Sequence, residues 1–206
     1  MTQHEQFPEF FSRIPGIALH DPLAELLGAP ADGVLHYRFG DAVRLAGHAC
    51  PTVAGAWLCT TRALAALYPD RLPQRGGITV SLGDDEGDGV AGVIAAVAGL
   101  LTGAAGHGGF KGLGRQHVRQ ALLRFGVAGV RHLRFTRLDQ ERHIDCRLDL
   151  SVVPDHPQTG ALLAAILSGQ ADDKQRSLFA TLWQQRVERI LCQADDHPGL
   201  LSLNPS

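Results

Sequence analysis

The sequence predicts a single α+β domain, with a mixed or antiparallel sheet packed by helices and a C-terminal helical pair. Three observations predict it. Segments with strand patterning (78–82, 130–138, 143–150) are interleaved with segments of helical periodicity (52–68, 173–192), and the chain ends on two helices. A length of 206 residues suits one core, or one core with an appendage. No internal repeat or low-complexity segment divides the chain.

In order, residues 1–32 read as an irregular arm, with Phe7, Phe10, Phe11 and Ile14 placed to fasten it to a core. Asp21-Pro22 opens a short helix and Gly28 closes it, with Asp as cap and Pro in the first turn. Residues 33–195 form the domain proper. A strand over 34–39 ends at Gly40-Asp41, and a helix over 52–68 ends at Pro69-Asp70. The strand at 78–82 leads through an acidic glycine turn to 90–101, which is apolar nearly all round. That segment is a buried helix or an oligomer interface. A glycine-rich loop at 103–114 follows, and then 116–125, strand-like but ambiguous with helix. A hairpin across Asp139-Gln140-Glu141 places Ile144, Cys146, Leu148 and Leu150 on one face, which makes Cys146 a core residue. Helices at 160–167 and 173–192 complete the domain, and 196–206 is a tail.

Bulk properties exclude some functions. The net charge of −2 argues against general nucleic-acid binding, which needs a basic surface. The arginines of the hairpin (Arg131, Arg134, Arg137, Arg142, Arg147) read as a solvated face balanced by acids. The four cysteines contain no C-x-x-C pair and do not suggest a secreted disulfide scaffold. The start carries no signal-peptide pattern, and the longest apolar run is too short to span a bilayer, so a soluble cytoplasmic protein is expected.

Several patterns carry chemistry. Gly87, Gly89 and Gly92 match G-x-G-x-x-G between a strand and a helix, which would make the chain a nucleotide-dependent oxidoreductase. Asp84, Asp85, Glu86 and Asp88 crowd the place of a pyrophosphate and repel it, and no ribose-binding acid follows about twenty residues on. The 103–114 loop is not a Walker loop, because Gly112 follows Lys111. Its His107 can turn toward a metal, and Lys111 can hold an anionic ligand. No G-x-S-x-G elbow is present.

The stretch 47–59 organises the rest. Pro51 suits the first position of a helix, which leaves Cys50 near the N-cap, where free N–H groups and the dipole stabilise a thiolate. His48 lies two residues away, so the two make a metal-ligand pair or a nucleophile pair. The competing reading is a structural cysteine beside an incidental histidine. Cys59, nine residues beyond Cys50, points elsewhere.

Gly47-His48-Ala49-Cys50-Pro51 resembles the G-H-x-C-P signature of the FmdE family, proteins similar to one component of formylmethanofuran dehydrogenase. Phe110-Lys111-Gly112-Leu113-Gly114, and Trp183 with Arg186 and Val187, extend the likeness thinly over about residues 30–195. The resemblance implies an α+β homodimer that binds zinc or another divalent transition metal through His48 and Cys50. It also implies an accessory role beside an oxidoreductase. Departures are clear: Ala46 and Ala104 stand where the family has a histidine and a cysteine, and the zinc-ribbon tail is missing. Zinc takes three or four protein ligands, so His107 is the expected third. A structural or interaction module that has lost its metal site is the remaining alternative.

Overall fold

The computed structural model describes residues 5–206, so the first four residues of the expected arm lie outside it. A 3-10 turn, Glu9–Arg13, sets Phe10 and Ile14 into the core, and the Phe11 ring lies 5.0 Å from that of Phe39. β1 (Ile17–His20) follows, then α1 (Pro22–Leu27) and β2 (Val34–Tyr37). α1 is capped as its sequence predicts, with Asp21 accepting from the N–H groups of Leu23 and Ala24 and Gly28 left-handed at its end. β1 and β2 pair antiparallel as a separate ribbon, so the arm contributes a strand that its sequence does not reveal.

The expected strand at 34–39 stops at Tyr37, and Phe39 instead opens α2 (Phe39–Ala46). The Asp41 carboxylate accepts from the Arg38 N–H at 2.8 Å, which gives this helix start a partner despite the lack of a capping residue at position 38. α3 (Pro51–Leu67) is the central helix. It packs on α2, on α4 (Ala91–Thr102) and on α6 (Asp173–Cys192), and it lies over the sheet. Val53, Ala54, Trp57, Ala63 and Leu64 are buried around it. Of the two readings of the 90–101 segment, the fold adopts the buried helix: Ala95, Val97, Ala98 and Leu101 of α4 are enclosed.

The remaining strands are β3 (Ile78–Leu82), β4 (Leu123–Arg124), β5 (Leu133–Arg137), β6 (His143–Leu148) and β7 (Leu201–Pro205). They form one five-stranded sheet in the order β4-β3-β5-β6-β7. β3 and β4 run parallel and the other neighbours antiparallel, so the sheet is mixed, as expected. The hairpin β5–β6 pairs Leu133 with Cys146 and Phe135 with Ile144. Their face, continued by Ile78, Val80 and Leu82, is covered by α3 and α4. α5 (Thr159–Leu167) packs against α6 to give the C-terminal pair. The closing residues, which read as a tail, supply the edge strand β7.

The stretch at 116–125 keeps only two strand residues, because Arg115, His117 and Ala121 before them have φ of 71°, 57° and 58°, which no strand accommodates. Arg119 ties this loop down. Its Nη2 donates to Asp21 at 2.5 Å and Arg75 Nη1 to the same carboxylate at 2.7 Å, while Arg75 also donates to the carbonyls of Leu100 and Leu101. Gly76, at φ +74°, leaves room for this cluster: a Cβ there would stand 2.1 Å from Arg119 Nη1.

Candidate metal and ligand site

Cys50 is the N-cap of α3, and its Sγ accepts from the Val53 N–H at 3.5 Å. Pro51 fills the first helical position, as the sequence predicts. His48 is exposed and Cys50 half-buried. The Nδ1 of His48 lies 2.9 Å from the Ala46 carbonyl. With the proton on Nδ1, that bond fixes the ring and leaves Nε2 as the free lone pair, as in histidines that bind metals. The residue between them is clamped from outside: Trp183 Nε1 (3.1 Å) and Gln184 Nε2 (3.3 Å) both donate to the Ala49 carbonyl. The His48–Cys50 segment is therefore held by two elements distant in sequence, α3 and α6.

His107 and Lys111 are elsewhere. Both are exposed, in the loop beyond the C-terminal end of α4, where the His107 carbonyl accepts from Gln120 Nε2. α3 and α4 start at the same end of the sheet, since Thr52 of α3 and Val90 at the start of α4 line one pocket. His48 and Cys50 precede the first helix and His107 follows the second, so one chain does not bring His107 to the pair. Among the described residues, no group of three or more His, Cys, Asp or Glu side chains is arranged around a common metal position. Residues 87–90 lie in the exposed turn between β3 and α4 with exposed Asp84, Asp85, Glu86 and Asp88, and Ala91 and Gly92 open α4.

Sequence reasoning missed the pocket itself. It has a volume of about 310 Å³ and opens between the N-terminal ends of α3 and α4 and the ends of β3, β5 and β6. Leu82, Ile94, Leu133 and Leu148 supply much of its wall, with Asp84 and His132 as polar groups. Thr52, Ala56 and Cys59 line it from α3 at i, i+4 and i+7. That spacing is visible in the sequence, but only the fold shows that this face meets the hydrophobic side of β6. Cys146 reaches the same pocket from β6. Hydrogen bonding to the Cys59 thiol, together with burial, pushes the Cys146 thiol far above its usual range.

The chain matches no protein-family model. No curated protein matches it either.

Proposed function

We propose that the chain binds a divalent transition metal, zinc first, through His48 Nε2 and Cys50 Sγ, in the manner of an FmdE-like protein with an accessory role beside an oxidoreductase. One observation carries this reading. The segment holding both donors is fixed at three points: His48 Nδ1 on Ala46, Cys50 Sγ at the N-cap of α3, and the Ala49 carbonyl under Trp183 and Gln184. Such outer contacts orient ligands before the metal arrives. At the start of α3 the Cys50 sulfur lies beside the Val53 N–H, a donor with no partner inside the helix. Two protein donors leave coordination positions for water, an anionic ligand, or His107 of a second copy in a homodimer. A metal with open positions lowers the pKa of bound water or polarises a carbonyl.

Elemental analysis of untagged protein tests the reading. About one metal per chain is expected, with loss in His48→Ala and in Cys50→Ala. Loss in His107→Ala as well would assign the third position to a second chain, and retention would assign it to solvent or ligand. Protein that purifies without metal and takes up none when supplied with zinc, or variants that keep their metal, would overturn the proposal.

A further inference from the structure

Cys59 and Cys146 are brought together by the register of α3 on β6. The helix packs on the strand at Gly55, where a Cβ would stand 2.3 Å from Leu148 Cδ2. One helical turn further lies Cys59, and two strand residues back along the same face lies Cys146. Both steps are about 6 Å, so the facing pair repeats in register. The two residues are 2 % and 3 % exposed, and the mainly apolar pocket is the one they line together, Cys146 also bordering a polar pocket with Asp145 and Arg147. The pocket holds two thiols and, within its lining, no third cysteine.

We infer that this pocket is a binding site for a trivalent organoarsenical, a neutral thiophilic centre carrying one small apolar substituent. Two observations and two chemical arguments select that class. Zinc on two protein donors completes its shell with water, which two thiols only 2 % and 3 % exposed do not admit, and although Asp84 and His132 also line the pocket, no three donors among the described residues are arranged around one position. A monovalent soft cation on two thiolates would leave a net charge against apolar walls, which is costly. A monosubstituted trivalent arsenic takes two sulfurs and stays neutral. The volume of about 310 Å³ is roughly twice the 150 Å³ that accepts benzene in an engineered cavity, so an aryl group fits.

The chemistry balances without an oxidant. In R–As(OH)₂, the sulfur of each cysteine forms an As–S bond as one As–O bond breaks. Each thiol proton leaves with a hydroxide as water, giving R–As(S-Cys59)(S-Cys146) and two waters, with arsenic trivalent throughout. The thiols need not ionise in advance, because the departing hydroxide accepts the proton.

The probe is phenylarsonous acid on the full chain, read by intact mass. One arylarsenic adduct per folded chain is expected, resistant to excess monothiol and removed by a dithiol. Cys59→Ser and Cys146→Ser should each lose it, whereas Cys50→Ser and Cys192→Ser keep it. The Cys50 result separates this site from the metal pair, since that variant loses metal and retains the adduct. A second readout needs no variant: alkylation after denaturation, followed by peptide mapping, should find Cys59 and Cys146 as the protected residues. A monothiol-resistant adduct mapped to any other pair, or none in folded wild-type protein, would overturn the inference.

Discussion

Replacing Asp21 with alanine should be among the most damaging single changes in the chain. Its carboxylate is shared by Arg119 and Arg75 at 2.5 and 2.7 Å, and their side chains are only 9 % and 17 % exposed. Asp21→Ala leaves two enclosed guanidinium groups without a counter-charge. Removing one partner of a buried ion pair costs about 3–5 kcal/mol. The same carboxylate caps α1 through Leu23 and Ala24, and losing a cap costs about 1 kcal/mol. Arg75 keeps the Leu100 and Leu101 carbonyls, which holds the expected total near 4 kcal/mol. Urea unfolding at neutral pH would show this as a lower midpoint at unchanged slope. Arg119→Met removes the charge with its partner's need for it partly met by Arg75, so the double variant should lose about 1–3 kcal/mol less than the sum of the singles. A loss below about 1 kcal/mol for Asp21→Ala, or strict additivity, would refute the cluster's role. The cluster also sets a pH dependence. Burial pushes the Asp21 carboxyl up, but Arg119, Arg75 and the two capping N–H groups outweigh it and hold it below its ordinary 3.8. A carboxyl depressed in the folded state contributes stability above its unfolded pKa, and that contribution disappears as pH falls through the folded value. Asp21→Asn should therefore flatten the decline in stability below about pH 4.

The remaining predictions concern packing and the donor segment. Gly55→Ala puts a methyl against the end of the Leu148 side chain, which can turn into the adjoining pocket, and gains about 1 kcal/mol of helix propensity, so stability in chemical denaturation should stay within about 1 kcal/mol of wild type; a loss above about 3 kcal/mol would mean that Leu148 cannot give way. Arg137→Ala strips the Leu67 carbonyl at the end of α3 of its donor and removes the guanidinium 4.1 Å from the Tyr68 ring centroid. A thermal melt should show a loss of about 2–4 kcal/mol. Trp183→Phe keeps an aromatic ring but loses the bond to Ala49, so it should weaken metal retention about 10-fold in a chelator competition while the melt moves little. Retention equal to wild type would remove Trp183 as a positioning residue.

Much of the scaffold is legible in the chain because local chemistry and tertiary packing agree there. Asp21-Pro22 with Gly28, Pro51 after Cys50, and Asp172 before α6 each start or stop a helix as their side chains dictate, and the β5–β6 hairpin follows from its alternation. β1 and β7 are not legible. Each is four or five residues long and takes its identity from a neighbour in another segment, β2 for one and β6 for the other. α2 is hidden because it begins after a strand with no capping residue and contains Gly40. Half of the candidate site shares this division. His48 and Cys50 lie in one short segment whose chemistry can be read directly. The meeting of Cys59 with Cys146 depends on the register of a helix over a strand far away in the chain. The clamp from Trp183 and Gln184 depends on how α6 crosses the start of α3.

The most direct measurement of the metal proposal is the electronic spectrum of the protein loaded with cobalt(II). A thiolate-to-cobalt charge-transfer band is expected in wild-type protein, absent from Cys50→Ser and retained in Cys59→Ser and Cys146→Ser. A band that survives in Cys50→Ser, or wild-type protein that binds no cobalt, would contradict the assignment of His48 and Cys50 as the donor pair.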